Sequence, residues 1–121
     1  MTLSFSEELR SRHEVMWGRA HLDHPFVTGI GDGSLSLDRF RYFMRQDYLF
    51  LIEYCRVVAM AAAKSPDLES MGRWASLLDE TLNSEMALHR SFCAEFGIRK
   101  AELEATVPSP TTLGYTGHLL K

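Results

Sequence analysis

Apolar residues recur three, four and seven positions apart along two long stretches, residues 37–63 and 67–96, with polar punctuation around each. That spacing places them on one face of an α-helix. In the first stretch, the face centred on Asp47 holds Phe40, Phe43, Met44, Phe50, Leu51, Tyr54 and Val58. Asp38, Arg41, Arg45, Glu53 and Arg56 fall on the opposite side. In the second, the face centred on Glu85 holds Met71, Trp74, Leu78, Leu82, Leu88, Phe92 and Phe96. Thr81 and His89 lie one turn to either side of Glu85, and Asp79, Glu80, Asn83 and Arg90 face away. Each long helix therefore carries one carboxylate inside an apolar stripe. A carboxylate is seldom buried without a partner. Asp47 is thus the first functional candidate, and Glu85 with His89 the second. Short connections make consecutive helices antiparallel neighbours, so the two acids either meet in one cavity or each find a partner of their own.

Start and stop signals set the remaining elements. Ser4-Phe5-Ser6-Glu7 matches a capping box and predicts a helix to about Gly18. His21 to Gly33 reads as a connector, with one short helical turn at Pro25 to Ile30. Its glycines, Gly29, Gly31 and Gly33, are no phosphate loop: no Lys-Ser/Thr follows and no strand precedes. Ser36 is the expected cap of the first long helix, which runs to about Ala63, roughly 40 Å at 1.5 Å per residue. Ser65-Pro66 predicts the next start, as a cap followed by proline in the first turn, and Gly97 the stop. Residues 98–106 read as polar, and either irregular or a short turn. Ser109-Pro110 opens a last helix that continues to Leu119-Leu120-Lys121. No segment alternates with the period of a strand, so the predicted class is all-α.

Composition narrows the function. The 121 residues suit one domain, with 45% apolar residues and a net charge of -3 from interspersed acids and bases. No basic stripe marks a nucleic-acid surface, and no apolar run reaches the ~20 residues that cross a bilayer. The first residues lack the basic and apolar regions of a signal peptide, so a cytoplasmic location is expected. Two cysteines, Cys55 and Cys93, make no disulfide framework. Both flank apolar stripes and read as packing residues, without the neighbours that lower a thiol pKa. Glu85 and His89, four apart, fit metal ligation, but one pair is not a site. His13, His21, His24 and His118 could add ligands only through tertiary contacts. Trp17 and Trp74 fit a core or a flat-ring pocket.

The blocks His24-Pro25-Phe26-Val27, Gly29-Ile30-Gly31-Asp32-Gly33, Phe40, Tyr42-Phe43 and Gln46-Asp47 together resemble the TenA/thiaminase II family. So do Glu85-Met86, Leu88-His89, Pro108-Ser109-Pro110-Thr111 and Tyr115-Thr116, in order and across the whole chain. The resemblance implies a helical bundle of the haem-oxygenase-like kind and a homotetramer. It implies hydrolysis of aminopyrimidines in thiamine salvage: 4-amino-5-aminomethyl-2-methylpyrimidine becomes the hydroxymethyl product, and many members also cleave thiamine. Asp47 then matches the acid that binds the pyrimidine and assists the nucleophile. Phe50 matches an aromatic position beside the active site, and Tyr115 a pocket tyrosine. The scheme uses a cysteine thiolate and needs no metal or cofactor. Family members are about twice as long, and their nucleophilic cysteine, a following tyrosine and a catalytic glutamate match nothing in residues 1–121. The chain is therefore expected to be the N-terminal part of a single TenA-like domain, completed elsewhere. Two other readings stay open: a metal-dependent or cofactorless oxidase on the same architecture, with Glu85 and His89 as ligands, and a non-enzymatic helical binding module.

Overall fold

A computed structural model describes residues 2–121. Among them there are helices and no strands. The chain divides into two compact units, one up to Leu37 and one from Asp38 to Lys121.

In the first unit, α1 (Phe5–Arg12) begins with the expected capping box. The Glu7 amide donates to Ser4 Oγ, and the Ser4 amide donates to Glu7 Oε2 at 2.8 Å. The helix is interrupted at His13, resumes as α2 (Glu14–Trp17) and continues through a π turn, Gly18–Leu22. Gly18 was expected as a stop, yet it adopts right-handed helical angles. Glycine ends a helix only where the chain turns left-handed. That happens at Gly33, whose φ of 77° closes α3 (Pro25–Asp32). The predicted connector is thus largely helix, two turns rather than one. His24 caps it through Nδ1, which accepts from the Phe26 amide at 3.1 Å, and Pro25 supplies the first turn. Leu35 folds back so closely that a Cβ on Gly29 would lie 3.2 Å from its own.

In the second unit, α4 (Leu37–Ala63) has the predicted length. The next start differs by two residues. Ser65 is engaged by donating its hydroxyl to Ala61 O at 2.8 Å, so Asp67 caps α5 (Leu68–Glu80) instead. Asp67 Oδ1 accepts from the Ser70 amide at 2.7 Å. That amide and the Ser70 hydroxyl hold the Asp67 carboxyl below its ordinary range. The cap accordingly contributes above the ordinary aspartate pKa and is lost as pH falls through the lowered value.

A π turn, Thr81–Glu85, joins α5 to α6 (Met86–Glu95) in one rod. Thr81 is fully buried and donates its hydroxyl back to Leu77 O at 2.8 Å. The extra residue in the π turn rotates everything beyond it, so the buried stripe runs Thr81, Met86, His89, Cys93. The predicted stripe does not hold: Glu85, Leu82, Leu88 and Phe92 are exposed.

α6 ends in a Schellman motif. Gly97 is left-handed, with φ 76°. The Ile98 amide donates to Cys93 O at 2.8 Å and the Gly97 amide to Ala94 O. This turn drives Ile98 into the core. Of the two readings of residues 98–106 the short turn is nearer: α7 (Lys100–Glu104) is a short helix, and it buries Leu103, which is 1% exposed. α8 (Pro110–Leu120) starts as predicted, with Ser109 Oγ accepting from the Thr112 amide.

The core joins Met44 and Tyr48 of α4 to Met86, Cys93, Ile98 and Leu103, with Phe40, Leu49, Leu51 and Ile52 packed around it. Phe40 meets Phe96 edge-to-face at 4.9 Å. Arg41, expected in water, is half-buried and donates Nε–H to Phe96 O at 2.8 Å. A cation at a helix C-terminus satisfies a free carbonyl and complements the dipole.

Trp74, Leu82, Leu88 and Phe92 remain exposed along the α5–α6 rod. Exposed apolar surface of this extent drives association. Sedimentation of the purified chain is expected to show self-association, and a stable monomer with a cooperative melt would contradict this.

Candidate functional site

Asp47 lies on the rim of the α4 stripe and not at its centre. The buried positions are Met44, Tyr48, Cys55 and Val58: Met44 and Val58 belong to the predicted face, while Tyr48 and Cys55 lie beside it and draw the centre of the stripe away from Asp47. The Asp47 side chain keeps 30% of its surface accessible. Burial deeper in the stripe would remove the carboxylate from water without enough donors to compensate. On the rim it can be reached by a ligand.

Its partner is His89. His89 Nε2 lies 3.3 Å from Asp47 Oδ2, and the ring is 7% exposed. The approach is close but poorly aligned: Nε2 is sealed from solvent and has no hydrogen-bond partner of good geometry among the described residues. On its other side, His89 Nδ1 lies 3.6 Å from Cys93 Sγ. Tyr48 covers the imidazole at 6.1 Å between ring centroids. Arg90 reaches over the Tyr48 ring and lies 3.4 Å from its hydroxyl.

The predicted second acid is corrected by this geometry. Glu85 does not meet Asp47 in one cavity, and it does not form a buried pair with His89. The π turn places Glu85 on the exposed side, while His89 turns inward to α4. Glu85 still acts by its charge on Cys55. Burial first, and the Glu85 charge second, push the Cys55 thiol up. Burial, and then the Asp47 charge, do the same to Cys93. Both thiols are held away from the thiolate form that nucleophilic attack requires. Among the described residues, no three His, Cys, Asp or Glu side chains gather as a metal ion would need.

The two aromatic candidates come together. Phe50 lies one turn from Asp47 on α4, a spacing that shares a face. Tyr115 of α8 rests against it, with ring centroids 5.5 Å apart, and the Tyr54 ring lies 5.9 Å from it. Tyr115 is 55% exposed, so this shelf is open. Trp74, read as core or as part of a flat-ring pocket, is exposed on α5.

Gln46, beside Asp47 in the chain, ties α8 in place. Its Nε2 donates to Val107 O at 3.1 Å, while its Oε1 accepts from the Ser109 amide at 3.0 Å and the Thr112 hydroxyl at 2.7 Å. One amide side chain thus anchors the start of the helix that carries Tyr115. Periodicity gave no signal for Gln46, because its partners are more than 60 residues away. Arrangements of this kind suit a flat, polar heteroaromatic ligand: a carboxylate to accept from ring-bound amines, and rings to stack on its face.

Comparison with known proteins points the same way. The model of the TENA/THI-4/PQQC family matches residues 10–121. Aminopyrimidine aminohydrolase of Halalkalibacterium halodurans is 47% identical over 118 residues, 98% of this chain and 52% of its own length. The Bacillus subtilis protein of the same name is 43% identical over 119 residues, 98% of this chain and 50% of its own. The chain spans about half the length of the curated relatives it matches. A crystal structure of a TenA family transcription regulator from Silicibacter sp. TM1040 superposes with a TM-score of 0.86 at 33% identity, covering 93% of this chain and 49% of that one. With the match running from Arg10 to the last residue and through every element of the site, the chain belongs to the TENA/THI-4/PQQC family.

Proposed function

We propose that the chain provides the pyrimidine-binding side of an aminopyrimidine aminohydrolase of thiamine salvage. The observation that carries this is Asp47 on an open rim, paired to a buried imidazole, one helical turn from the Phe50–Tyr115 shelf. The names of the relatives supply the substrate class. Asp47 accepts a hydrogen bond from the exocyclic amine of 4-amino-5-aminomethyl-2-methylpyrimidine and sets the ring's orientation. Phe50 and Tyr115 hold its faces, and such ring contacts contribute about 0.5–1.5 kcal/mol each. A side chain fixed by a neighbour is ready for the ligand before it arrives, which reduces the ordering cost of binding.

Hydrolysis then requires a thiolate to attack the pyrimidine, an acid to protonate the departing amine, and water to release the product and regenerate the thiol. Neither Cys55 nor Cys93 takes that part, being buried with raised thiol pKa values. The nucleophile belongs to residues outside these 121. This reading extends to a haem-oxygenase-like bundle, a homotetramer and a cytoplasmic location. Among the described residues no helix is long and apolar enough to cross a membrane.

Calorimetric titration with the aminomethylpyrimidine tests the reading. The purified chain is expected to bind it and to release no ammonia. Ammonia release at enzymatic rates by the 121 residues alone would overturn the assignment of the nucleophile. Absence of binding by a folded chain would remove the role of Asp47.

A further inference from the structure

The buried histidine has two neighbours, and together they impose a direction on its protons. A carboxylate only accepts, so the imidazole nitrogen that faces Asp47 must carry the hydrogen. In a neutral ring the other nitrogen is then bare and needs a donor. Here that nitrogen is Nδ1, and the group 3.6 Å from it is the Cys93 thiol. Cys93 is fully buried and His89 is 7% exposed, so water has little access to the pair. Its backbone is pinned as well, because Cys93 O accepts the Ile98 amide of the Schellman turn at 2.8 Å.

We infer that Cys93 is a positioning residue: its S–H donates to His89 Nδ1, fixes the ring in the Nε2-protonated form and so aims that N–H at Asp47. The raised thiol pKa agrees, since it keeps the proton on sulfur. No bond to carbon or sulfur forms or breaks. The chain of donors runs from Cys93 through His89 to the Asp47 oxygen, and it leaves the second oxygen to the ligand. Its effect on binding rests on the reading of Asp47 as the pyrimidine acceptor; the tautomer itself does not. Among the described residues that buried nitrogen has no other partner, so an N–H turned toward the Asp47 carboxylate would satisfy it.

Histidine-selective 15N NMR of the full chain, without ligand, decides the tautomer, with His89→Gln used to assign the signal. Neutral His89 is expected to show a protonated Nε2 and a hydrogen-bonded, bare Nδ1. Cys93→Ser should keep that pattern, because a hydroxyl also donates. Cys93→Ala should lose the hydrogen-bond shift at Nδ1. A protonated Nδ1 in the unsubstituted protein, or identical ring spectra for alanine and serine, would overturn the inference. Should Cys93→Ala fold too poorly for spectra, the unsubstituted protein and the serine variant decide it.

Titration with the aminomethylpyrimidine then reads the consequence. Alanine is expected to weaken binding about fivefold, as for one lost hydrogen bond, and serine to restore it to within about twofold. Expected ring spectra in a protein that binds no pyrimidine would sink the role of Asp47 and leave the tautomer standing. Pyrimidine binding without the expected ring spectra would do the reverse.

Discussion

Asp47→Asn is expected to weaken binding of the aminomethylpyrimidine by about 1.5–3 kcal/mol, roughly 10- to 100-fold, with little change in fold stability. The asparagine amide has the shape of the carboxylate. Its oxygen can still accept from His89 Nε2, which lies 3.3 Å from the present Oδ2. The charge is lost, however, and with it the second strong acceptor that faces the open side. A hydrogen bond to a charged group is worth about twice one between neutral groups. Titration calorimetry and thermal melts of both proteins measure the two effects separately. Unchanged binding with an altered melt would make Asp47 a structural partner of His89, and the chain a helical binding module.

Gln46→Leu should cost about 2–3 kcal/mol, because three hydrogen bonds disappear together at about 1 kcal/mol each. Leucine matches the size of glutamine but leaves Val107 O, the Ser109 amide and the Thr112 hydroxyl without this partner. The damage is local. Ser109 caps α8, so the loss loosens the first turn of that helix and lets Tyr115 drift from Phe50. Hydrogen exchange should accelerate across residues 110–120 and stay unchanged in the core around Leu103. Uniform acceleration through both regions would show that Gln46 supports the whole unit and not the placement of Tyr115. Pyrimidine affinity should fall alongside, since half of the aromatic shelf would then be mobile.

Most helices were legible because their signals are local. The Ser4–Glu7 box, the Ser109-Pro110 start and the left-handed glycine at position 97 act within a turn of the residues that encode them. The same locality explains the errors. Ser65 looked like a cap, but its hydroxyl was already committed to Ala61. Gly18 looked like a stop, but nothing forced it left-handed. Residues 98–106 looked polar, yet the turn at Gly97 aims Ile98 and Leu103 inward, where only two apolar residues are needed to anchor a short helix.

The face of the second long helix failed for a different reason. A regular 3.6-residue period was carried through Thr81–Glu85, where the backbone forms a π turn. One added residue shifts the register by about 100°, enough to bring His89 to the core and take Glu85 out. Composition alone offers no sign of that shift. The buried Thr81 hydroxyl that accompanies it became meaningful only with its acceptor, Leu77 O, in view.

By itself, the sequence determined an all-α chain, its principal helices and the candidacy of Asp47, because propensity, caps and side-chain type are written residue by residue; Phe50 and Tyr115 became candidates only through the resemblance to a family. Only the tertiary structure decided who meets whom. It gave Asp47 to His89 in place of Glu85, set it on a rim in place of a buried centre, and joined His89 to Cys93. It also made Gln46 the tie that holds Tyr115 against Phe50. Those pairings depend on the rotation of one helix against another, and a single residue added in a π turn resets that rotation for every residue beyond it.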